Sequence, residues 1–246
     1  MEIIDAHVCI GQGKHLQLSV DDLLRQMDEA DVALAIACPV DHFLAVHNRE
    51  GNDLVLAAVR AHPDRLSGMA SVNPWFGEAA VQEARRAMSE GLRGLFLHPV
   101  YQGFRLSDPI VNPLLEAAVE FDAPVYAHTG TAGIAEPLQL ADLARLFPSL
   151  NFIMGHAGAS DYYSDAVRAL EFADNLWLET SRNGPANYAL FKASNRLDRL
   201  VFGSSAPEYI PAVEIEIVKD IITDPAARSS IFADAIRKVT KGRLSP

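Results

Sequence analysis

Basic residues are scarce in this chain. Its 246 residues hold 21 Lys and Arg against 32 Asp and Glu, a formal net charge of −11. Binding nucleic acid requires cations clustered opposite phosphates, so that class of partner is not expected. Cysteine is nearly absent, with only Cys9 and Cys38. Two thiols cannot build a disulfide framework, and a reducing, cytoplasmic setting is the expectation. No apolar run approaches the ~18–20 residues that span a bilayer. The opening Met1-Glu2-Ile3-Ile4-Asp5 has none of the positive charge that begins a secretory signal. A glycine-rich phosphate turn is also missing. After the first apolar run come Cys9-Ile10-Gly11-Gln12-Gly13-Lys14, with two glycines and no helix opening behind them. That argues against a dinucleotide-binding open sheet. Late in the chain, Ser181-Arg182-Asn183-Gly184-Pro185 and Ser205-Ala206-Pro207-Glu208 do not form the turns of a phosphate-binding barrel.

What is present is apolar material in short runs. Hydrophobic residues make up 49% and charged residues 22% of the chain, enough to bury a sizeable core. Runs that read as buried strands cover 3–9, 32–38, 66–72, 93–98, 124–128, 151–155, 176–180 and 200–204. Amphipathic stretches that read as helices lie between them, at 19–30, 49–62, 77–90, 109–121, 136–147, 160–173, 184–195 and 211–222. Ser19 and Asp22 suit a helix start, and Pro137 and Pro185 suit first helical turns. Strict alternation predicts an α/β fold with a parallel sheet. Eight such units in this length predict one closed (β/α)8 TIM barrel over residues 1–246. An extra C-terminal helix, 226–241, is expected to pack on the barrel's outside.

In such a barrel the active site sits where the strands end. Those ends offer, in order, His7 and Cys9, Cys38, Asn73, His98, His128, His156, Glu179 with Ser181, and Ser204 with Ser205. Three histidines close apolar runs, in Ile-Ile-Asp-Ala-His7, Pro-Val-Tyr-Ala-His128-Thr-Gly and Asn-Phe-Ile-Met-Gly-His156-Ala-Gly. His7 and Cys9 are two apart, so a strand's period of two puts both on one face. Neutral imidazole and thiolate are both zinc ligands. His128 approaches from halfway around the barrel. His156, one strand on, is either a further ligand or the acid/base acting on a metal-bound water. Glu179 is either a structural carboxylate or a substitute base or ligand, and His98 either contacts substrate or caps structure. Trp75, Phe76, Tyr101 and Phe104 are candidates to wall a pocket. Arg93, Arg105 and Arg182 are candidates to hold a carboxylate in a bidentate pair. His98, Arg105 and Trp75 form the expected substrate-binding set. His15, His42, His47 and His62 are expected to be solvated. Cys9 and Cys38 are expected at the ends of neighbouring strands, reduced.

Five segments together resemble the amidohydrolase-2 family of the amidohydrolase superfamily. They are Ile-Ile-Asp-Ala-His7-Val-Cys9, Gly-Leu-Arg-Gly-Leu-Phe-Leu-His98-Pro, Pro-Val-Tyr-Ala-His128-Thr-Gly, His156-Ala-Gly and Phe-Gly-Ser-Ser205-Ala-Pro. The family includes aminocarboxymuconate-semialdehyde decarboxylase, related aromatic-acid decarboxylases and lactone hydrolases. The resemblance implies one divalent metal, usually zinc, held by two histidines of the first strand and one of the fifth. It implies a catalytic histidine on the sixth strand and a metal-binding aspartate on the eighth. His7, His128 and His156 match; Cys9 replaces a histidine and Ser205 replaces the aspartate. A serine is a weak neutral ligand and a poor base, so general-base duty would pass to His156 or Glu179. A homodimer is also implied.

Two functions follow as expectations. One is a metal-dependent hydrolase or decarboxylase of a small carboxylate, lactone or amide, with His7, Cys9 and His128 on the metal. The other is a metal-free, catalytically reduced protein that binds a small molecule.

Overall fold

The apolar runs form parallel strands, and a computed structural model shows them arranged as a ring. It describes residues 1–159 and 161–244. Strand β1 (Ile4–Gln12) turns back through the two-residue β2 (Gln17–Leu18). It pairs parallel with β3 (Leu34–Pro39), which pairs with β4 (Leu66–Gly68). β5 (Ala70–Ser71) continues β4 after a break at Met69, whose N–H donates to the Ala37 carbonyl at 3.0 Å. From β5 the parallel ladder runs through β6 (Leu95–Leu97), β7 (Val125–His128), β8 (Phe152–Gly155), β9 (Leu176–Glu179) and β10 (Leu200–Val201). The chain beyond β10 meets β1. Ala6 N–H donates to the Phe202 carbonyl at 3.0 Å, Ser205 N–H to that of His7 at 2.9 Å, and Cys9 N–H to that of Ala206 at 2.7 Å. With β4 and β5 counted as one strand, this closes the TIM barrel.

Helices occupy Val20–Glu29, Asn48–Ala61, Glu78–Ser89, Asn112–Glu120, Pro137–Leu146, Tyr163–Phe172, Pro185–Ala193 and Pro211–Ile221. Ser19 caps the first, its Oγ accepting the Asp22 N–H at 3.1 Å. The stretch expected as a helix over 160–173 begins at Tyr163, and Ser160 lies outside the described residues. So do the last two residues of the predicted domain 1–246. Short helices at Asp41–Ala45 and Pro99–Gln102 have no counterpart among the predicted elements. No helix among the described residues is long and apolar enough to cross a membrane.

The C-terminal helix corrects an expectation. It runs through Pro225–Ser229, a π-helical Ser230–Asp234 and Ala235–Val239. Instead of lying outside, it crosses the N-terminal end of the barrel. Ala233, Ala235, Ile236 and Val239 join the interior cluster of Ile4, Ile36, Phe96, Tyr126 and Ile153. The Ile231 carbonyl accepts the Phe202 N–H at 2.9 Å. A helix carbonyl engaged by an outside donor favours the wider π turn seen there.

One irregularity in β1 positions the site. Ile4 and Cys9 both belong to the interior cluster, whereas Ile3, Val8 and Ile10 pack outward against the helices. An unbroken period of two would put Ile4 and Cys9 on opposite faces. The register with β3 shifts between Asp5 and Val8, and this bulge absorbs the extra residue. Asp5 holds it, with its Oδ1 accepting the N–H groups of His7 at 3.1 Å and Ser204 at 2.9 Å. The bottom of β1 thus fills the core while His7 and Cys9 face the mouth.

Candidate active site

An unbroken hydrogen-bonded chain links His7 of β1, Tyr126 and His128 of β7, Glu179 of β9, and His156 and Ser181 just beyond β8 and β9. It is anchored on Glu179, which is fully buried at the end of β9. Glu179 Oε2 accepts the Tyr126 hydroxyl at 2.9 Å, the His156 N–H at 2.9 Å and the Ser181 hydroxyl at 2.9 Å. Its Oε1 accepts the Ser181 N–H at 2.6 Å. Two glycines leave room for this knot. A Cβ at Gly155 would stand 2.5 Å from the Tyr126 hydroxyl, and one at Gly203 would stand 2.5 Å from Glu179 Oε1.

The donors on Glu179 fix the proton positions further out. Since the Tyr126 hydroxyl gives its proton to Glu179, it can only accept from His7 Nδ1, 3.0 Å away. His7 therefore carries its proton on Nδ1 and turns a lone pair at Nε2 toward Cys9 Sγ, 3.6 Å away. The second arm follows the same logic. Ser181 gives its hydroxyl proton to Glu179 and accepts from His156 Nδ1 at 2.7 Å. That leaves His156 Nε2 as an acceptor for His128 Nδ1 at 3.0 Å. His98 lies parallel to His128 with ring centres 4.0 Å apart, and its Nδ1 accepts the Tyr101 N–H at 3.3 Å.

Burial keeps all four rings neutral. It holds His7 down at about 3, and repulsion from His128, felt only when both rings are protonated, lowers it further. His128 also falls to about 3, through burial and then the Arg182 guanidinium. Burial likewise takes His98 and His156 well below the ordinary histidine value. The Cys9 thiol is pushed up to about 12 by burial, then by the Glu208 and Asp41 carboxylates. Burial raises Glu179 against the pull of its donors. Asp41 moves the other way. Burial alone would raise it, but the N–H groups of His15, His42 and Lys14 outweigh that and hold it below the usual carboxylate value.

The chain borders a small cavity at the mouth, lined among others by His7, Cys9, Asp41, His98, Tyr101, His128, His156, Ser205 and Glu208. Its volume, about 20 Å³, has room for little more than one water. A larger ligand enters only when the walls move. His7, Cys9, His98, His128, His156 and Ser205 are thus brought together. Glu179 is adjacent but lines no part of the cavity, and its four bound donors leave it closed to a substrate as a direct base. Trp75 and Arg105 also stand apart from this cavity. The Trp75 indole is 61% exposed and donates to the Gly103 carbonyl at 2.9 Å, while Arg105 is exposed on its loop. The sequence pattern does not mark Tyr126 or Asp41 as site residues, and it offers Glu208 only as a carboxylate beside the end of the eighth strand. Tyr126 carried a signal, since it lies two residues before His128 on the same strand. Asp41 depends on a short helix start and a turn contributed by β1, neither of which is periodic. Cys9 and Cys38 are register partners on neighbouring strands, both free thiols.

The amidohydrolase family model matches residues 10–239 of the chain. The protein belongs to the amidohydrolase-2 family. No curated protein matches its sequence. Among solved structures, a TIM-barrel protein from Bordetella bronchiseptica is 17% identical, with a TM-score of 0.79 and 99% of each chain covered. The 4-oxalomesaconate hydratase of Rhodopseudomonas palustris is 20% identical, with a TM-score of 0.72 and coverage of 98% of this chain and 96% of the other. A dihydroxybenzoic acid decarboxylase from Polaromonas, bound to manganese and the inhibitor 2-nitroresorcinol, is 17% identical, with a TM-score of 0.76 and coverage of 98% and 97%. At these identities the likeness speaks for the fold.

For an amidohydrolase-2 protein the test is whether the donors suit a divalent ion. His7 Nε2 and Cys9 Sγ stand 3.6 Å apart. Zinc bonds of ~2.0–2.1 Å to nitrogen and ~2.3 Å to sulfur at a tetrahedral angle call for about the same separation. The Tyr126 hydroxyl on the far nitrogen of His7 is the kind of outer partner that orients a ligating imidazole. These two donors fit. His128 offers its Nδ1 only by releasing His156. Among the described residues no group of three His, Cys, Asp or Glu side chains is already assembled around one cation position.

Proposed function

We propose that the protein is a hydrolase or decarboxylase of a small carboxylate, lactone or amide, in which His156 moves the proton. The observation that carries this reading is the oriented chain His128–His156–Ser181–Glu179. A proton taken up at His156 Nε2 releases the one on Nδ1 to Ser181 Oγ, which passes its own to Glu179 Oε2. Burial already raises Glu179, so the carboxylate is suited to store that proton. Run backwards, the chain returns the proton. In hydrolysis it goes to the leaving group after water has added. In decarboxylation it goes to the carbon that keeps the electron pair of the broken C–C bond, as carbon dioxide departs. His98, parallel to His128, offers a flat face to the substrate and its Nε2–H to an acceptor.

A divalent cation, in this reading zinc, would be held by His7 and Cys9 with His128 as third donor, and would polarise the substrate carboxylate or carbonyl. Binding there requires Cys9 to lose its proton and His128 to give up its bond to His156. That second step also frees His156 Nε2 for the substrate or a water. Ser205 leaves the eighth strand without a carboxylate, which burdens hydrolysis more than decarboxylation, because only hydrolysis needs an activated water. The competing reading is the metal-free binder, favoured by the direct bond between the His128 and His156 rings.

Metal titration separates the two. Chelator-treated protein is expected to take up one equivalent of zinc or manganese, releasing about one proton from Cys9, with uptake lost in His7→Ala and weakened in Cys9→Ser. Less than about a tenth of an equivalent after reconstitution would leave only the metal-free reading.

A further inference from the structure

The turn after β9 holds an exposed cation at the edge of the mouth. Ser181 and Asn183 both reach His156. Ser181 Oγ is 2.7 Å from its Nδ1, and Asn183 Nδ2 donates to its carbonyl at 3.0 Å. Arg182 lies between them with φ at +65°, in the left-handed region that a residue with a Cβ enters at a cost. Glycine or asparagine would suit that backbone better, so the arginine is not there for the turn. With its neighbours turned toward His156, the Arg182 side chain is exposed at the rim. Its guanidinium carbon stands 5.9 Å from the ring centre of Tyr209, the residue after cavity-lining Glu208. Its charge is felt by His98, His128 and His156. Among the described residues Arg182 forms no ion pair, whereas Arg60, Arg65, Arg85 and Arg86 each hold a carboxylate.

A rigid planar cation with unspent donors, beside a cavity lined by neutral imidazoles, suits a bidentate bond to a carboxylate. We propose that Arg182 captures the carboxylate of the substrate at the β9 side of the mouth and orients it toward His156. The proposal rests on the reading of this mouth as a site for small carboxylates. Of the three arginines that the sequence offers for a carboxylate, Arg93, Arg105 and Arg182, it selects Arg182 in place of Arg105, which the expected substrate-binding set holds.

Calorimetric titration tests it with two probes, 2,6-dihydroxybenzoate and resorcinol, which differ by one carboxylate. Arg182→Gln is expected to weaken the benzoate at least tenfold and to leave resorcinol within twofold. Arg182→Lys keeps the charge without the fork and should fall between. Arg105→Gln should match the wild type. Benzoate affinity within twofold of wild type in Arg182→Gln overturns the proposal. So does an equal loss for both probes, which would mark Arg182 as a packing residue, or a wild type that does not bind the benzoate. The parent reading fails differently, with carboxylate binding that depends on Arg182 but turnover indifferent to His156→Gln.

Discussion

Replacing His156 with glutamine is expected to cut turnover by roughly 10²–10⁴, the usual contribution of one positioned acid/base group. The residue is buried and bonded on both ring nitrogens, to Ser181 and to His128. Glutamine can keep much of the volume and part of the hydrogen bonding. It cannot accept a proton at one end while releasing another to Ser181. Stability should therefore fall far less than rate, and circular dichroism and a urea midpoint would register that. A loss of less than tenfold in kcat, with the fold intact, would take proton transfer away from His156. Ser181→Ala should show a smaller loss, because water can replace its hydroxyl between His156 and Glu179.

Glu179→Ala is expected to cost about 3–5 kcal/mol of stability, the sum of several buried donors left without an acceptor. The substitution strands the Tyr126 hydroxyl, the Ser181 hydroxyl and two backbone N–H groups, all buried. A buried donor without a partner costs about 1–3 kcal/mol, so several together outweigh any gain from removing the carboxylate from the interior. Glu179→Gln should be milder but still destabilising. Its amide presents one oxygen, and its NH₂ would face a site already crowded with donors. The measurement is the unfolding free energy from urea curves. A change below 1 kcal/mol for the alanine variant would mean that water satisfies the stranded donors and that Glu179 is not the anchor.

Much of this was legible in the sequence, and the reasons for success and failure are physical. His7, His128 and His156 close apolar runs, and parallel barrel topology carries such ends to one rim whatever the intervening loops do. Cys9 and Cys38 close the apolar runs of neighbouring strands, and they fall into register because the bulge in β1 absorbs the one residue by which its run is longer. Tyr126 reads as a core residue because most of its ring is one; its hydroxyl finds Glu179 at a separation of 53 residues, which no local pattern encodes. The bulge between Asp5 and Val8 is likewise silent, since it depends on Asp5 gathering N–H groups from His7 and from Ser204. Arg105 and Trp75 were placed by loop membership alone, and a loop's path follows its contacts, not its composition. The C-terminal helix shows an apolar face in the sequence, but the face does not say which surface it covers. The open lower end of the barrel, ringed by Ile4, Ile153 and Trp177, was the larger demand for cover.

Glu179 orients His7 through Tyr126, and His156 and His128 through Ser181, while the Tyr101 N–H orients His98. Nitrogen-15 NMR of the imidazoles in metal-free protein tests this arrangement without a substrate. Neutral rings are expected at pH 7, with the proton on Nδ1 in His7, His128 and His156 and on Nε2 in His98. A charged imidazolium among them, or His156 protonated on Nε2, would contradict it.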